Sequence, residues 1–316
     1  MSEKKIELSV VYSFRNEEEN IPTLIERTRK ALETAVSEFE IIFVNDDSTD
    51  ESLKLLKQFS DEDSRIRVLN MSRRFGPTEC LMAGLKYSSG QAVVFLDSDL
   101  QDPPELIPEL VGEWHKGADV VHTVRRQRDG ETRARTALTS LAYRFINICS
   151  DINLPVDAGD FKLLSRRAVE HVLTMKESRP YIRGLIAWVG LHQTVVEYVR
   201  HGRYGGTPHF RFYGTSALFQ LLNGLTSNSA LPIYLMLIFG GLLFVISMAL
   251  GIAALILTSG PVGGMSTYTF LALFLSMWGT ILLALGALGF YISRIDQNVR
   301  NRPNYIVKDT IGLDKI

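Results

Sequence analysis

The feature that most restricts the fold of this chain is a long uncharged stretch, because no Asp, Glu, Lys, Arg or His occurs between Arg211 and Arg294. A water-exposed domain needs charged residues on its surface, and two successive core helices of a soluble protein would not both lack them. Two apolar runs, at about 231–258 and 267–293, each exceed the roughly 20 residues that a helix needs to cross a bilayer. The sequence therefore predicts a hairpin of two transmembrane helices within residues 230–293, joined by a turn rich in Gly at 259–266.

Basic residues lie at both outer ends of the predicted hairpin but not in the turn between its two helices. The turn contains no Lys or Arg, whereas Arg200, Arg203 and Arg211 precede the first helix and further basic residues follow the second. By the positive-inside rule, both termini are predicted to be cytoplasmic, with 294–316 as a cytoplasmic tail. Because the first residues are polar, no cleaved signal peptide is expected. The interpretation is a multi-pass protein of the inner (cell) membrane.

The segment before the first predicted span has a different pattern. Residues 212–229 are apolar on one side of a helix and uncharged on the other, which predicts a helix lying in the membrane interface. A simple linker is the alternative. Residues 1–211 then form a separate cytoplasmic domain.

That domain alternates strand and helix patterns along its first 130 residues. Apolar runs predict strands at 6–12, 39–44, 66–69, 92–96 and 120–124, with helices at 21–36, 78–87 and 104–116 between them. Another helix carries Leu53 to Phe59, and the segment Ser48–Glu51 predicts a capping box at its start. Such alternation is typical of an α/β fold with a mainly parallel sheet and helices on both faces.

Composition and missing motifs exclude several functions. The net charge of −1 gives no attraction for nucleic acid, so no nucleic-acid partner is predicted. Neither GxGxxG after the first strand nor GxxxxGK[ST] is present, which disfavours dinucleotide and P-loop sites. Cys80 and Cys149 fit no metal or disulfide pattern and are predicted to be reduced thiols.

Polar clusters follow three of the predicted strands: Ser13–Glu17, Asn45–Asp47 and Asp97–Asp99. Ligands of open α/β sheets bind beyond the carboxyl ends of the strands, so the clusters predict one site. Asp97 and Asp99 supply hard oxygen ligands suited to Mg²⁺ or Mn²⁺, with a bound diphosphate completing the shell. Asp102 precedes two prolines and is predicted to be a helix N-cap instead of a ligand.

The same segments resemble a known family. The resemblance rests on "SFRNEEENI", "EIIFVNDDSTDES", "NMSRRFGPTECLMAGLKYSSG", "VVFLDSDLQDPPE" and "AGDFKLLSRRAVE", supported by "RPYIRGLIAWVG". In this order they resemble the motifs of inverting family 2 glycosyltransferases with the GT-A fold, and in particular the polyisoprenyl-phosphate glycosyltransferases. The resemblance covers about residues 6–215, and the two spans match the bacterial branch.

The resemblance implies a role for each matching position. It places Ser13, Arg15 and Glu17 at the nucleotide and Asp46 at its base. It places Asp97, Asp99 and Gln101 at the metal and the diphosphate.

Further matches lie in the second half of the domain. Arg125 and Arg128 fall on a mobile basic loop near the phosphates, although a solvated helix face is the alternative. Asp157 falls beside the transferred sugar, with a simple turn cap as the alternative. Arg200 and Arg203 fall near the lipid phosphate or the diphosphate. Asp157, Asp99, Arg200 and Arg203 form the predicted catalytic set.

Two departures leave the nucleotide open. The usual Pro-Val-Tyr-Asn-Glu opening reads Ser-Phe-Arg-Asn-Glu at 13–17, and the usual Asp-Asp-Gly reads Asn-Asp-Asp at 45–47. Both changes touch the expected nucleotide pocket.

The resemblance implies transfer of a hexose, glucose from UDP-glucose, to polyisoprenyl (undecaprenyl) phosphate with inversion. It also implies a divalent metal, contact with membrane lipids and a homotetramer. Mannosyl or amino-sugar transfer, a processive polysaccharide synthase and a non-catalytic membrane adaptor are the alternatives. The chain lacks the Gln-x-x-Arg-Trp motif of processive synthases.

Overall fold

The structure, a computed structural model, describes residues 5–128, 158–178, 180–200, 238–243, 245–246 and 267–313. Contacts divide the chain into two units, one of Met1–Gly224 with Pro303–Ile316 and one of Leu225–Arg302. The first unit therefore takes residues from both ends of the chain, and the described part of the second is helical.

The first unit is built on an eight-stranded sheet with the order β7-β5-β6-β4-β1-β2-β3-β8. The strands are β1 (Leu8–Phe14), β2 (Phe39–Asn45), β3 (Ile66–Met71), β4 (Ala92–Asp97), β5 (Val120–Arg128), β6 (Ala158–Ser165), β7 (Gln193–Arg200) and β8 (Val307–Ile311). The pairs β1/β2, β1/β4, β2/β3 and β5/β7 are parallel, and the pairs made by β6 and β8 are antiparallel. The predicted mainly parallel α/β sheet is confirmed.

Helices cover both faces of this sheet. They are α1 (Ile21–Ala35), α2 (Ser52–Glu62), α3 (Pro77–Tyr87), α4 (Ile107–His115), α5 (Arg166–Thr174) and α6 (Ile182–Trp188), with a 3₁₀ turn at Pro104–Leu106. Because successive strand residues point to opposite faces, Val10 packs in the same apolar cluster as α1 and α4. Val11 packs in the second cluster, with α3, α5 and α6.

One close approach brings α3 directly onto β1. A Cβ atom at Gly84 would lie 2.2 Å from Cγ1 of Val11, so only glycine fits there. This contact fixes α3 on the sheet and leaves its first residues beside the carboxyl end of β2.

The start of α2 differs from the prediction. The helix begins at Ser52, and Glu51 at the N-cap makes no side-chain capping bond, so the predicted Ser48–Glu51 capping box is wrong. Asp50 instead accepts a hydrogen bond from the backbone N–H of Ser52 at 3.1 Å, and Ser48 Oγ accepts one from the N–H of Asn16. The short side chain of Asp50 competes successfully for the first free N–H of the helix.

The segment predicted to be a cytoplasmic tail, residues 294–316, contains a strand. Residues Val307–Ile311 form β8, which pairs antiparallel with β3 at the edge of the sheet. Tyr305, Val307 and Leu313 pack against the apolar cluster of α3 and α5. Part of the predicted tail is thus an integral strand of the first unit.

In the second unit, α7 (Thr267–Arg300) is one continuous helix of 34 residues. It extends beyond the predicted end of the second span at residue 293, and an ion pair between Arg300 and Asp296 supports its last turn. Within the described residues, the segment Met277–Arg300 is the one helix long and apolar enough to cross a membrane. Only short helical pieces of the first predicted span, 238–243 and 245–246, are described.

Candidate active site

The strand register brings the three polar clusters to one edge of the sheet. Ser13 on β1 pairs with Asp97 on β4, and Phe14 pairs with Asn45 on β2. Asn45 in turn pairs with Asn70 on β3. Because these strands are parallel, the loops that follow β1, β2 and β4 leave the sheet side by side, as the sequence predicted.

The turn after each of these strands contains a residue with left-handed backbone geometry. The φ angles are +54° at Asn16, +59° at Asp47 and +58° at Leu100. Asn and Asp tolerate this region better than other side chains, which is why Asp47 can occupy the position where the resembled family has glycine. The departure in sequence therefore preserves the turn.

Hydrogen bonds join the loop after β1 to the loop after β2. Asn16 N–H donates to Ser48 Oγ at 3.0 Å, and Thr49 N–H donates to Asn16 Oδ1 at 2.8 Å. Glu17 N–H donates to Ser52 Oγ at 3.0 Å. The two predicted nucleotide loops consequently form one rigid unit.

Glu17 and Arg15 lie differently within this unit. Glu17 is buried, and its carboxylate accepts a hydrogen bond from the side-chain amide of Asn20. Arg15 is partly buried, and its Nε has no hydrogen-bond acceptor among the described residues. A buried donor without an acceptor is costly, so Arg15 is suited to an anionic ligand at this edge.

Asp46 is buried between β2 and the start of α3. Its carboxylate accepts hydrogen bonds from the backbone N–H groups of Phe75, at 2.7 Å, and Gly76, at 3.2 Å. Helix N-termini favour such negative charge. Asp46 therefore binds the loop before α3, in addition to the base contact that the resemblance implies.

Cys80 lies on α3 close to Asp46. Burial first, and then the neighbouring Asp46 carboxylate, raise the pKa of the Cys80 thiol well above its usual range. The thiol is free and stays protonated at neutral pH. Cys149 lies outside the described residues.

Asp97 and Asp99 lie on either side of a buried serine at the mouth of β4. Ser98 is buried and its Oγ donates to the carbonyl of Ser13 at 3.0 Å, whereas both carboxylates are partly exposed. Gln101 N–H donates to Asp99 Oδ1 at 3.1 Å. The donor set of two neighbouring carboxylates fits a hard divalent cation. Within the described residues no group of three metal-ligating side chains occurs.

Asp102 does not act as the predicted helix cap. Pro103 occupies the N-cap position of the 3₁₀ turn, and the Asp102 carboxylate is fully buried. It accepts a hydrogen bond from the phenol of Tyr198 on β7. Asp102 thus precedes the N-cap residue, and its side chain contacts the sheet through Tyr198.

Arg125 lies within β5, whereas the resemblance placed it on a mobile loop. Its side chain is only 12% exposed, its Nε donates to the Tyr198 hydroxyl at 3.2 Å, and it lies 3.9 Å from the Asp102 carboxylate. Gly159 on β6 leaves room for the guanidinium, because a Cβ there would lie 3.0 Å from it. Tyr198 and Asp102, which sequence reasoning did not assign to the site, thus hold Arg125 in place.

A second group of polar side chains lies on β6, and one of them, Lys162, is buried. Arg183 on α6 binds both carboxylate oxygens of Asp160, each at 2.6 Å. Lys162 is buried, and its ammonium group donates to the carbonyl of Gly159. Burial lowers the pKa of Lys162 to about 7, although Asp160 opposes that shift.

Lys162→Met tests this buried amine. In the folded protein the pKa of Lys162 is about 7, whereas an unfolded lysine titrates near 10.4. Between these values the unfolded chain binds the extra proton, so the free energy of unfolding of the parent protein rises with pH. The variant should lack this contribution, and the lost bond to Gly159 should cost about 1 kcal/mol at every pH.

The measurement is thermal unfolding of both full-length proteins in detergent at several pH values from 7 to 9. Other titrating groups cancel in the difference between parent and variant. We expect the parent to gain stability relative to the variant as pH rises. A difference independent of pH would contradict the lowered pKa.

The remaining predicted residues are only partly described. Arg128 and Arg200 are paired residues at the ends of β5 and β7, and their side chains are not described. The register therefore brings together two arginines from different predicted motifs. Asp157 and Arg203 lie outside the described residues.

The candidate site lies at the carboxyl edge of an α/β sheet, where Asp46 follows β2 and Asp97 and Asp99 lie at the end of β4. Residues 9–173 match the family described as "Glycosyl transferase family 2". The chain belongs to glycosyltransferase family 2 and is an enzyme of the transferase class, with the GT-A type of α/β sheet.

Two relatives illustrate this membership. The chain is 35% identical to "Uncharacterized glycosyltransferase YkcC" of Bacillus subtilis, over 98% of this chain and 96% of that protein. It is 36% identical to "SfII prophage-derived bactoprenol glucosyl transferase" of Shigella flexneri, over 96% of this chain and 98% of that protein. It is also similar to a solved glucosyl-3-phosphoglycerate synthase of Mycobacterium tuberculosis in complex with Mn²⁺, UDP-glucose and phosphoglyceric acid. That similarity has a TM-score of 0.48 and 22% identity and covers 70% of this chain and 79% of that one.

Proposed function

We propose that this protein transfers glucose from UDP-glucose to a membrane polyisoprenyl phosphate, undecaprenyl phosphate in bacteria, with inversion at the anomeric carbon. The observation that carries the proposal is the placement of Asp97, Asp99, Asp46 and Arg15 along one edge of the sheet. Similarity along nearly the whole chain to proteins named bactoprenol glucosyl transferase supports the sugar and the lipid.

The donor end of the site has to bind and neutralise a diphosphate. Asp97 and Asp99, with Gln101 nearby, would hold Mg²⁺ or Mn²⁺, which when bound supplies positive charge to the departing diphosphate. Arg15 offers a partly buried guanidinium donor at the same edge. Ser13, Glu17 and Asp46 shape the loops that receive the nucleotide.

The acceptor needs orientation more than activation. A lipid monophosphate is already an anion at neutral pH, so its oxygen attacks the anomeric carbon without a strong base. The bond to the UDP oxygen breaks as the new bond to the lipid phosphate forms, and one in-line displacement gives a β-linked product from an α-linked donor. Arg200 and Arg203, with Arg128 paired to Arg200, would hold the two phosphate groups close together.

A panel of substrates tests the function. Purified full-length protein in detergent would receive polyprenyl phosphates of several lengths together with labelled UDP- and GDP-sugars, and the product lipids would be resolved by mass. Glucosyl phospholipid from UDP-glucose is the expected product. A mannosyl or amino-sugar product would show that the donor is a different nucleotide sugar. A polymer would indicate a processive synthase, and no transfer from any donor would indicate an adaptor.

The membrane arrangement is part of the proposal. The apolar helix Met277–Arg300 supports one crossing, and the uncharged run at 231–258 supplies the other. Residues 212–229 would lie in the interface. Homotetramer formation rests on the family resemblance, and light scattering of the detergent-solubilised protein tests it.

The topology has its own test. A cysteine at Ser259, in a Cys80→Ala, Cys149→Ala background, should react with an impermeant thiol reagent added to intact cells, because the 259–266 turn is proposed to be extracytoplasmic. A cysteine at Ser2 in the same background should react only after lysis. The reverse labelling pattern would overturn the proposed orientation.

A further inference from the structure

The C-terminal strand β8 is connected to the loop after β2 by a chain of side-chain hydrogen bonds. Asp309 on β8 accepts a hydrogen bond from Asn70 Nδ2 on β3. Asn70 Oδ1 accepts one from Asn45 Nδ2 on β2 at 3.2 Å, and Asn45 Oδ1 accepts one from the N–H of Ser48 at 3.0 Å. Asn45 and Asn70 are both buried, so water does not compete for these groups.

The Asp309 carboxylate fixes which group donates and which accepts in each of these hydrogen bonds. An ionised Asp309 can only accept, so Asn70 must turn its NH₂ group toward β8 and its oxygen toward Asn45. Asn45 must then donate to Asn70, which leaves its own oxygen for the N–H of Ser48. Reversing either amide would place two donors or two acceptors face to face.

The Ser48 end of the chain shapes the predicted nucleotide loop. Asn45 and Ser48 enclose Asp46 and Asp47, and Asp47 has a left-handed φ of +59°. Ser48 Oγ also accepts the N–H of Asn16, which belongs to the loop after β1. The orientation of the Asn45 side chain therefore bears on both loops that are proposed to bind the donor.

We propose that Asp309 is a positioning residue of the donor site, and that β8 completes the nucleotide pocket although it follows the membrane helix in sequence. The inference rests on the proposed function, because it assigns the nucleotide to the loops after β1 and β2. Asp309 acts through Asn70 and Asn45 and does not itself contact the substrate.

The strand is held by contacts that do not involve Asp309. Ser72 N–H donates to the carbonyl of Ile306 at 2.9 Å, and Tyr305 and Val307 pack against the apolar core. Asp309→Ala should therefore leave β8 in place and remove only the acceptor. Thr310→Val is a matched control on the same strand, since it removes only the hydrogen bond from Thr310 Oγ1 to the carbonyl of Leu313, which lies after the strand.

The experiment measures binding of UDP-glucose and UDP to full-length protein in detergent with Mn²⁺, by calorimetry. Asp309→Ala should raise the Kd about tenfold, the factor that corresponds to one net hydrogen bond. Asp309→Asn, which can still accept from Asn70, should stay within about twofold of the parent, as should Thr310→Val. Single-turnover transfer at saturating UDP-glucose should be unchanged in all three variants.

A double-mutant cycle separates positioning from a general loss of structure. In an Asn70→Ala background the series of hydrogen bonds from Asp309 to Ser48 is already interrupted, so Asp309→Ala should have no further effect on the Kd. An equal effect of Asp309→Ala in both backgrounds, or a Kd equal to that of Thr310→Val, would overturn the inference. A parent protein that binds neither UDP-glucose nor UDP would overturn the proposed uridine donor, and this inference with it.

Discussion

Asp99→Asn should reduce the rate of sugar transfer by a factor on the order of 10²–10³, the range seen when one electrostatic group of a catalytic site is lost. The variant keeps its volume but loses the charge that would hold a divalent cation beside the diphosphate. Binding of UDP-glucose in the presence of Mn²⁺ should weaken as well, because the metal is proposed to link the protein to the diphosphate.

Calorimetry and single-turnover rates of parent and variant measure both effects. Asp119→Asn is a control for loss of a carboxylate, since Asp119 lies at the amino end of β5 and accepts a hydrogen bond from Ser165 Oγ. Removing metal from the parent protein with a chelator should abolish transfer, and Mn²⁺ or Mg²⁺ should restore it. Full activity of protein confirmed to be free of metal would contradict the proposed site.

Asp157→Asn should also slow transfer by on the order of 10²-fold or more, the effect of losing a positioned catalytic group. In contrast to Asp99→Asn, it should leave donor affinity nearly unchanged, because the family resemblance places Asp157 near the sugar and away from the diphosphate. In the proposed reaction the lipid phosphate is its own nucleophile, so Asp157 need not act as a base. We propose that it orients the sugar or the acceptor, or stabilises charge that develops at the anomeric carbon.

Two measurements separate these roles. UDP-glucose affinity and single-turnover rate would be determined for the parent, Asp157→Asn and Asp99→Asn. If Asp157 only positions a substrate, the rate should not depend on pH once the carboxylate is ionised. If Asp157 is a base with a raised pKa, the rate should fall as the pH is lowered through neutrality. Transfer at the parental rate would show that Asp157 is only a turn cap.

The central strands could be predicted from sequence because parallel strands buried on both faces are nearly continuous apolar runs. β2 begins at Phe39 and β4 at Ala92, as predicted. β6 was not predicted as a strand, because Asp160 and Lys162 interrupt its apolar pattern and find their partners only in the folded protein. β8 has only five residues, three of them polar, so its two apolar residues Val307 and Ile311 form no apolar run.

The site shows the same division. The positions of Asp97, Asp99 and Asp46 at one edge of the sheet could be predicted, because all three lie at or just beyond the end of a recognisable strand. The contact between Tyr198 and Asp102 could not, since it depends on the order of strands in the sheet. The alternation of buried Val196 and Tyr198 with exposed residues along β7 is visible only in the structure, because the exposed neighbours Val195 and Val199 are themselves apolar.

The pairing of β3 with β8 has a consequence for biosynthesis. Asn70 and Asp309 are 239 positions apart, so the ribosome makes nearly the whole chain before the last strand exists. Until then the edge of β3 has unpaired backbone groups, and such edges recruit other strands. This pairing also joins residues that are far apart in sequence, and contacts of this kind slow folding. The sheet is therefore finished only after translation has passed the apolar segment, and a chain that stalls within that segment retains an open, aggregation-prone edge.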